Sequence, residues 1–159
     1  MSGEIQPRAK VLLSCYACEP DKGSEPGVGW NWTKEMSIDN DLVVVTRSNN
    51  RLAIEKKLKD RPLSQVEFVY YDLPSWVLKL KKSGLISTSL YYVLWQRGVY
   101  RFMMSRLEEF DIIHHVTFNM FLCPGYWNTS KAKVILGPLG GGSCVPEAYL
   151  SLFEKKSRV

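Results

Sequence analysis

The chain has 159 residues, a net charge of +5 from 21 basic and 16 acidic side chains, and 45% hydrophobic residues. This apolar content excludes an intrinsically disordered chain. The length is enough for one domain with its own core but not for two domains that face each other across a cleft, because a domain usually takes about 100 to 200 residues.

Five short apolar runs with helical patterns between them predict five buried strands. Each run is nearly continuous in Val, Ile and Leu, which is typical of parallel strands that are covered on both faces. The predicted strands are Lys10–Cys15, Leu42–Thr46, Val66–Tyr70, Asp111–His114 and Val134–Leu136.

The intervals between strands carry apolar side chains at helical spacing and predict helices over Val28–Met36, Asn50–Lys59 and Ser89–Phe110. Regular alternation of strand and helix, with right-handed crossovers, predicts an α/β fold. We expect one doubly wound, Rossmann-like parallel sheet with helices on both sides, formed by residues 1–159 as a single domain. Ligands of such sheets bind beyond the carboxyl ends of the strands.

A glycine-rich segment, Gly23–Trp30, follows the first strand and leads into the first helix. Glycine lets the backbone turn sharply and approach a ligand, and the free N–H groups at a helix start favour anionic oxygens. The segment fits a phosphate or sugar site and equally fits a plain connection. It does not match the dinucleotide fingerprint, since Trp32 replaces the third glycine and Thr46–Arg47 stands where an acid would bind ribose.

A second glycine-rich segment, Gly137–Gly142, follows the last predicted strand, so two glycine-rich walls are expected to face one crevice. Both histidines of the chain, His114 and His115, lie together at the end of the fourth strand. Successive strand residues point to opposite faces, so we expect one imidazole in the crevice and the other beneath a helix, with the choice between them open. A metal site is not expected from this adjacent pair.

Cys15 and Cys18 have the spacing of a redox or zinc motif, but their surroundings favour neither. Glu19-Pro20 follow where a disulfide exchanger would open a helix, and Cys123 and Cys144 are far along the chain. The polar N-terminus lacks the pattern of a secretory signal. We therefore expect a cytoplasmic protein with reduced thiols.

The stretch Trp76–Lys82 combines basic and apolar side chains. It is interpreted either as the solvated end of a helix or as a peripheral contact with the anionic inner face of the cell membrane. The apolar residues 90–104 are interrupted by Gln96, Arg97 and Arg101, so no spanning helix is expected. Without a recognition motif or a long basic stripe, no nucleic acid partner is expected.

Four segments together resemble the N-terminal half of the retaining glycosyltransferases of group 1, family 4. They occur in the expected order along nearly the whole chain and are Ser14–Pro20, Gly23–Trp30, Asp111–Thr117 and Gly137–Gly142. The resemblance implies the GT-B fold, in which two Rossmann-like domains face a cleft. This chain would be the acceptor-side domain, and without the C-terminal donor-binding domain it would have no transferase activity of its own.

The resemblance also implies roles for individual residues. Glu25 would contact an acceptor hydroxyl or the sugar, and His114 or His115 would approach the transferred sugar. The implied substrate-binding positions are Gly23, Ser24, Gly27, Thr117, Asn119, Gly140, Gly141 and Gly142. The donor would be a nucleotide-diphosphate sugar bound through the absent domain, and the acceptor a sugar or lipid-linked glycan of cell-surface polysaccharide biosynthesis. No metal or other cofactor is implied.

An alternative is a noncatalytic sugar- or nucleotide-binding module built on the same sheet. The residues alone leave both interpretations open. A second Rossmann-like half after Val159 would indicate the enzyme.

Overall fold

The computed structural model describes residues 7–119, 125–127 and 131–139. Helices and strands alternate from β1 to β4, apart from two consecutive helices before the fourth strand, and β5 is the next element that the structure describes. In order they are β1 (Ala9–Cys15), α1 (Ser24–Met36), β2 (Asn40–Thr46), a 3₁₀ turn (Ser48–Asn50), α2 (Arg51–Asp60), β3 (Val66–Tyr70), α3 (Ser75–Lys82), α4 (Thr88–Met103), a 3₁₀ segment (Met104–Glu109), β4 (Ile112–Thr117) and β5 (Lys133–Leu136).

The strands form one five-stranded sheet in the order β3-β2-β1-β4-β5, and every neighbouring pair is parallel. Helices flank the sheet, so the structure is an α/β fold consistent with a Rossmann-like domain. This confirms the predicted class and the predicted parallel sheet. All five predicted strands are present, and β4 continues three residues beyond its predicted end at His114.

The core lies in two layers, one on each face of the sheet. Alternation along β1 sends Val11 and Leu13 to one face and Leu12 to the other. The first layer packs under α1 and α2 through Trp30 and Ile54. The second packs under α3 and α4 and is dominated by aromatic side chains, among them Tyr91, Tyr92, Trp95 and Trp127. Both faces are therefore covered over the three inner strands β1, β2 and β4, as predicted, whereas no residue of the edge strands β3 and β5 is buried.

Helix α1 begins at Ser24, four residues before its predicted start, so most of the Gly23–Trp30 segment is helical rather than a loop. Gly23 is extended and caps the helix, and Pro26 lies in the first turn, where a missing backbone N–H costs nothing. A side chain on Gly29 would collide with the carbonyl oxygen of Ala17. This glycine therefore lets the helix lie directly on the loop that follows β1.

The predicted helix Ser89–Phe110 is shorter than expected. Helix α4 ends at Met103 and continues as the 3₁₀ segment up to Glu109. The basic and apolar stretch Trp76–Lys82 forms most of α3. Within the described residues, no helix combines the length and the apolar content needed to cross a membrane.

Candidate functional site

The carboxyl ends of the parallel strands meet at one edge of the sheet, and helix α1 begins there. β4 ends at Thr117 and β1 at Cys15, and these two residues are directly paired across the strands. In a sheet of this topology this edge is the place where ligands bind. The predicted site residues are therefore described from this edge.

The carboxylate of Glu25 joins the start of α1 to the end of β4. Its Oε2 accepts a hydrogen bond of 3.0 Å from the backbone N–H of Phe118, which is 93 residues away along the chain. Phe118 has φ of 59°, a left-handed conformation that is unfavourable for a large residue, and its ring contacts that of Tyr16 at 4.8 Å between centroids. Glu25 itself is exposed, and its Oε1 forms no hydrogen bond with a described residue. The predicted acid thus lies at the predicted edge with one oxygen open.

An open depression of about 300 Å³ lies at the start of α1. It contains three of the predicted substrate-binding residues and is lined by Lys22, Gly23, Ser24, Gly27, Val28, Asn31 and Trp32. Ser24 has φ of 54°, the second left-handed residue at this edge. The depression offers the first-turn N–H groups of a 13-residue helix and one lysine, a combination that favours anionic or hydroxyl oxygens.

Thr117 and Asn119, both predicted to bind substrate, are buried at the end of β4. The Thr117 hydroxyl accepts a hydrogen bond of 3.1 Å from the Ala17 N–H and so holds the loop after β1. Asn119 donates its amide to the His115 carbonyl at 2.9 Å, while its Oδ1 is buried and has no hydrogen-bond partner among the described residues. Burying an acceptor without a hydrogen bond costs free energy of folding. Of the two side chains, Asn119 is therefore the one whose oxygen still needs a donor.

His114 points toward α1 and is 3% exposed. Its Nε2 lies 2.9 Å from the carbonyl oxygen of Gly137, just after β5, and its ring meets Trp32 edge to face at 4.9 Å. Burial lowers the pKa of His114, and the bond to Gly137 opposes this in part. A neutral ring must therefore carry its proton on Nε2, which leaves Nδ1 as an acceptor that no described residue uses.

His115 points to the opposite face, under α4, and is fully buried. Its Nε2 lies 2.6 Å from the Tyr92 hydroxyl and 3.2 Å from the Gln96 amide nitrogen, and its Nδ1 lies 2.9 Å from Ser14 Oγ. Because an amide nitrogen only donates, Nε2 is the acceptor and Nδ1 carries the proton. Burial and the neighbouring His114 lower the pKa of His115 to about 4.

The expectation that one imidazole reaches an open crevice therefore needs correction. The two rings do lie on opposite faces, as predicted, but both faces of β4 are covered, one by α1 and the other by α4. Both nitrogens of His115 are engaged within the core, whereas His114 keeps one nitrogen unused. The predicted Gly140, Gly141 and Gly142 lie outside the described residues.

Sequence reasoning missed a cluster of cationic and aromatic side chains at the ends of β1, β2 and β3. Arg47 follows β2 and pairs with Asp72 at 3.2 Å, and its guanidinium lies 5.0 Å from the Tyr16 ring centroid. Lys81 from α3 reaches the same place, with Nζ 3.4 Å from the Tyr16 hydroxyl and 4.7 Å from the Tyr91 ring centroid. Burial lowers the pKa of Lys81, Arg47 adds to this, and Asp72 opposes it.

This cluster holds two partly buried cations against one carboxylate. The detectable signal was the position of Arg47, directly after a strand, where side chains reach the ligand edge. In the sequence, Arg47 was noted only as standing where an acid would bind ribose. Lys81 had no such signal, because only the packing of α3 brings it to this edge.

The Cys15–Cys18 pair lies in the core below the edge. Both thiols are free and buried. Burial raises the pKa of Cys18 to about 12 and that of Cys15 well above its ordinary value. In the described part of the chain, no group of three or more His, Cys, Asp or Glu side chains could hold a metal ion.

Comparison of the chain with protein-family models, curated proteins and solved structures finds no match. The argument for function therefore depends on the contacts at the carboxyl edge of the sheet.

Proposed function

We propose that this chain is the acceptor-binding half of a retaining glycosyltransferase of GT-B type. The enzyme would move a sugar from a nucleotide-diphosphate sugar to a glycan or lipid-linked acceptor. The observation that carries the proposal is the placement of Glu25. Its carboxylate is anchored at the ligand edge of the sheet and keeps a second oxygen that accepts no hydrogen bond from a described residue, at the same helix start whose Gly23, Ser24 and Gly27 line the depression.

The chemistry of sugar transfer suits this arrangement. The anomeric carbon gains positive charge in the transition state while negative charge grows on the leaving diphosphate. The Glu25 carboxylate would orient an acceptor hydroxyl or the sugar, and the N–H groups at the start of α1 would face developing negative charge without reorganising. Neither histidine is given a contact with the sugar in this proposal, because His114 is 3% exposed beneath α1 and His115 is fully buried beneath α4.

The cluster of Arg47 and Lys81 supports an acceptor that carries negative charge, such as a phosphate. Guanidinium and ammonium groups bind phosphate through charge-assisted hydrogen bonds, and the single carboxylate of Asp72 does not balance both cations. The cluster and Glu25 lie at the same edge, joined through Tyr16 and Phe118. An acceptor that spans both would have its hydroxyl at Glu25 and its anionic group at Arg47.

The proposal is tested in the full-length gene product with a panel of nucleotide sugars and acceptors, comparing Glu25→Gln with Glu35→Gln. Glutamine at position 25 keeps an oxygen for the Phe118 N–H but removes the charge. We expect transfer to fall by about 10- to 100-fold, the value of one charged hydrogen bond, without loss of folding. Glu35 is exposed on the same helix and, within the described part of the chain, forms an ion pair only with Lys34, so its change should leave transfer unaltered.

Two outcomes would contradict the proposal. A transfer rate in Glu25→Gln equal to that of the native protein would show that Glu25 only holds the Phe118 backbone. Binding of a sugar or nucleotide without transfer from any donor would establish the noncatalytic module instead.

A further inference from the structure

One stretch of the chain carries basic side chains without any acidic one. Residues 73–105 contain five basic side chains and no acidic one; they are Lys79, Lys81, Lys82, Arg97 and Arg101. Subtracting these five from the 21 basic side chains leaves 16, equal to the 16 acidic ones. The entire net charge of +5 therefore comes from α3, α4 and their connection.

The outer surface of these two helices is also apolar. Trp76 is 63% exposed and Phe102 51%, and Leu85, in the connection between the helices, is 73% exposed. Trp76, Leu94 and Phe102 line an open cleft of about 580 Å³ between the helices, together with Arg97 and Arg101. Three exposed apolar side chains and two of the cations therefore share one cleft.

Helical geometry separates this surface from the core. In α4 the buried side chains include Tyr91, Trp95 and Val99, whereas Leu90, Leu94, Arg97 and Arg101 recur at spacings of three and four on the opposite side. In α3 Val77 is buried, and Trp76, Lys79 and Lys82 point outward. We call the exposed residues Trp76, Lys79, Lys82, Leu90, Leu94, Arg97, Arg101 and Phe102 the α3–α4 face.

The cations of the α3–α4 face are not neutralised within the protein. No carboxylate among the described residues pairs with Lys79, Lys82, Arg97 or Arg101. By contrast, Lys10, Arg51 and Arg106 elsewhere on the surface each have an acidic partner. A solvated helix face usually mixes charges of both signs, so this face lacks the composition expected of a surface that meets only water.

We propose that the α3–α4 face docks on a membrane surface that contains anionic lipids. Tryptophan, leucine and phenylalanine enter the boundary between headgroups and acyl chains, while lysine and arginine stay at the headgroups. Each basic side chain near an anionic bilayer contributes to attraction that falls with ionic strength. The exposed aromatic and aliphatic groups between the cations favour a lipid surface over a nucleic acid or an acidic protein. The proposal does not depend on the function proposed above.

The test is cosedimentation of the chain with vesicles of phosphatidylcholine alone and of phosphatidylcholine mixed with phosphatidylglycerol. We expect binding to the mixed vesicles only, and loss of that binding at high salt. Lys79→Glu/Lys82→Glu and, separately, Arg97→Gln/Arg101→Gln should each lower the partition coefficient by about ten-fold or more.

The matched control is Lys56→Glu/Lys59→Glu on α2, which covers the other side of the sheet. Both lysines are exposed, so the control changes the net charge as much as the first variant does. It should keep binding to the mixed vesicles. Trp76→Ser/Phe102→Ser tests the apolar part and should also weaken binding, with folding of every variant checked by circular dichroism.

Several results would overturn the proposal. Equal binding to both kinds of vesicle would show that the cations of the α3–α4 face do not contribute. An equal loss of binding in Lys56→Glu/Lys59→Glu would show that only the net charge of the chain matters. Sedimentation without vesicles would indicate that a second copy of the chain covers the face. No binding to mixed vesicles at low salt would reject docking outright.

Discussion

The protonation of His115 offers a direct test of how the core is built. Burial and the neighbouring His114 lower its pKa from 6.5 to about 4 in the folded chain. An imidazole in the unfolded chain keeps the ordinary value, so the unfolded state binds more protons between these two pKa values. The free energy of unfolding contains the full contribution of neutral His115 above pH 6.5 and loses it as the pH falls toward 4.

The size of this loss follows from the interval between the two pKa values. One pKa unit corresponds to about 1.4 kcal/mol, so acidification to below pH 4 should cost the folded state about 3 kcal/mol through His115. The structural reason is burial, because a charged imidazolium at this fully buried position would lose its hydration, and the neighbouring His114 adds to the penalty.

Urea unfolding across the acid range measures the effect in the native chain and in His115→Gln, which has no titratable group at this position. The carboxylates titrate in both proteins, so the difference between the two curves isolates His115. The native chain should lose up to about 3 kcal/mol relative to the variant as the pH falls. Nuclear magnetic resonance of the imidazole in the native chain measures the pKa directly and does not require a variant. Parallel stability curves, or an imidazole that titrates near 6.5, would refute the buried, neutral assignment.

Two further predictions concern the loop that lies between β1 and α1. Gly29→Ala should lower the free energy of unfolding by about 1–3 kcal/mol, because the new Cβ would meet the Ala17 carbonyl oxygen. Gly23→Ala should lower it by less than about 1 kcal/mol, because the space around Gly23 is open. Equal values in urea unfolding would contradict the close approach. Cys15 and Cys18 should resist iodoacetamide until the chain unfolds, because burial raises both thiol pKa values. Peptide mapping checks this, and labelling in the folded chain at the rate of an exposed thiol would count against it.

The sheet could be predicted because its signal is local. A strand covered on both faces must be apolar at nearly every position, so Leu42–Thr46 can be recognised without any tertiary information. The order β3-β2-β1-β4-β5 does not follow from this local signal, because doubly wound sheets occur with more than one strand order. The predicted start of α1 was wrong for the opposite reason, because it depends on packing between distant atoms. Glycines at positions 27 and 29 indicate a loop by propensity, but close packing against the preceding loop makes glycine favourable inside this helix.

The histidines illustrate a different limit. Alternation along β4 correctly separates His114 from His115, but alternation reports only the face of the sheet, and both faces are covered. Side chains reach the ligand edge only where a strand has ended, as Arg47 and Phe118 do. The residues most relevant to binding therefore lie in segments after the strands, where the hydrophobic periodicity of the sequence no longer predicts which way a side chain points.

Glu25 combines both situations. The sequence placed it in a glycine-rich segment near the edge, but nothing local relates it to the N–H of Phe118, 93 residues away. The contact gives the carboxylate a structural role, because it holds Phe118 in its left-handed conformation at the end of β4. Removing the side chain altogether would disturb that backbone and lower activity whether or not Glu25 touches a substrate. The change to glutamine keeps the acceptor and removes the charge. It therefore distinguishes the role of Glu25 in holding Phe118 from a role in binding substrate. The same reasoning applies to any acid that both caps a strained turn and faces a ligand edge.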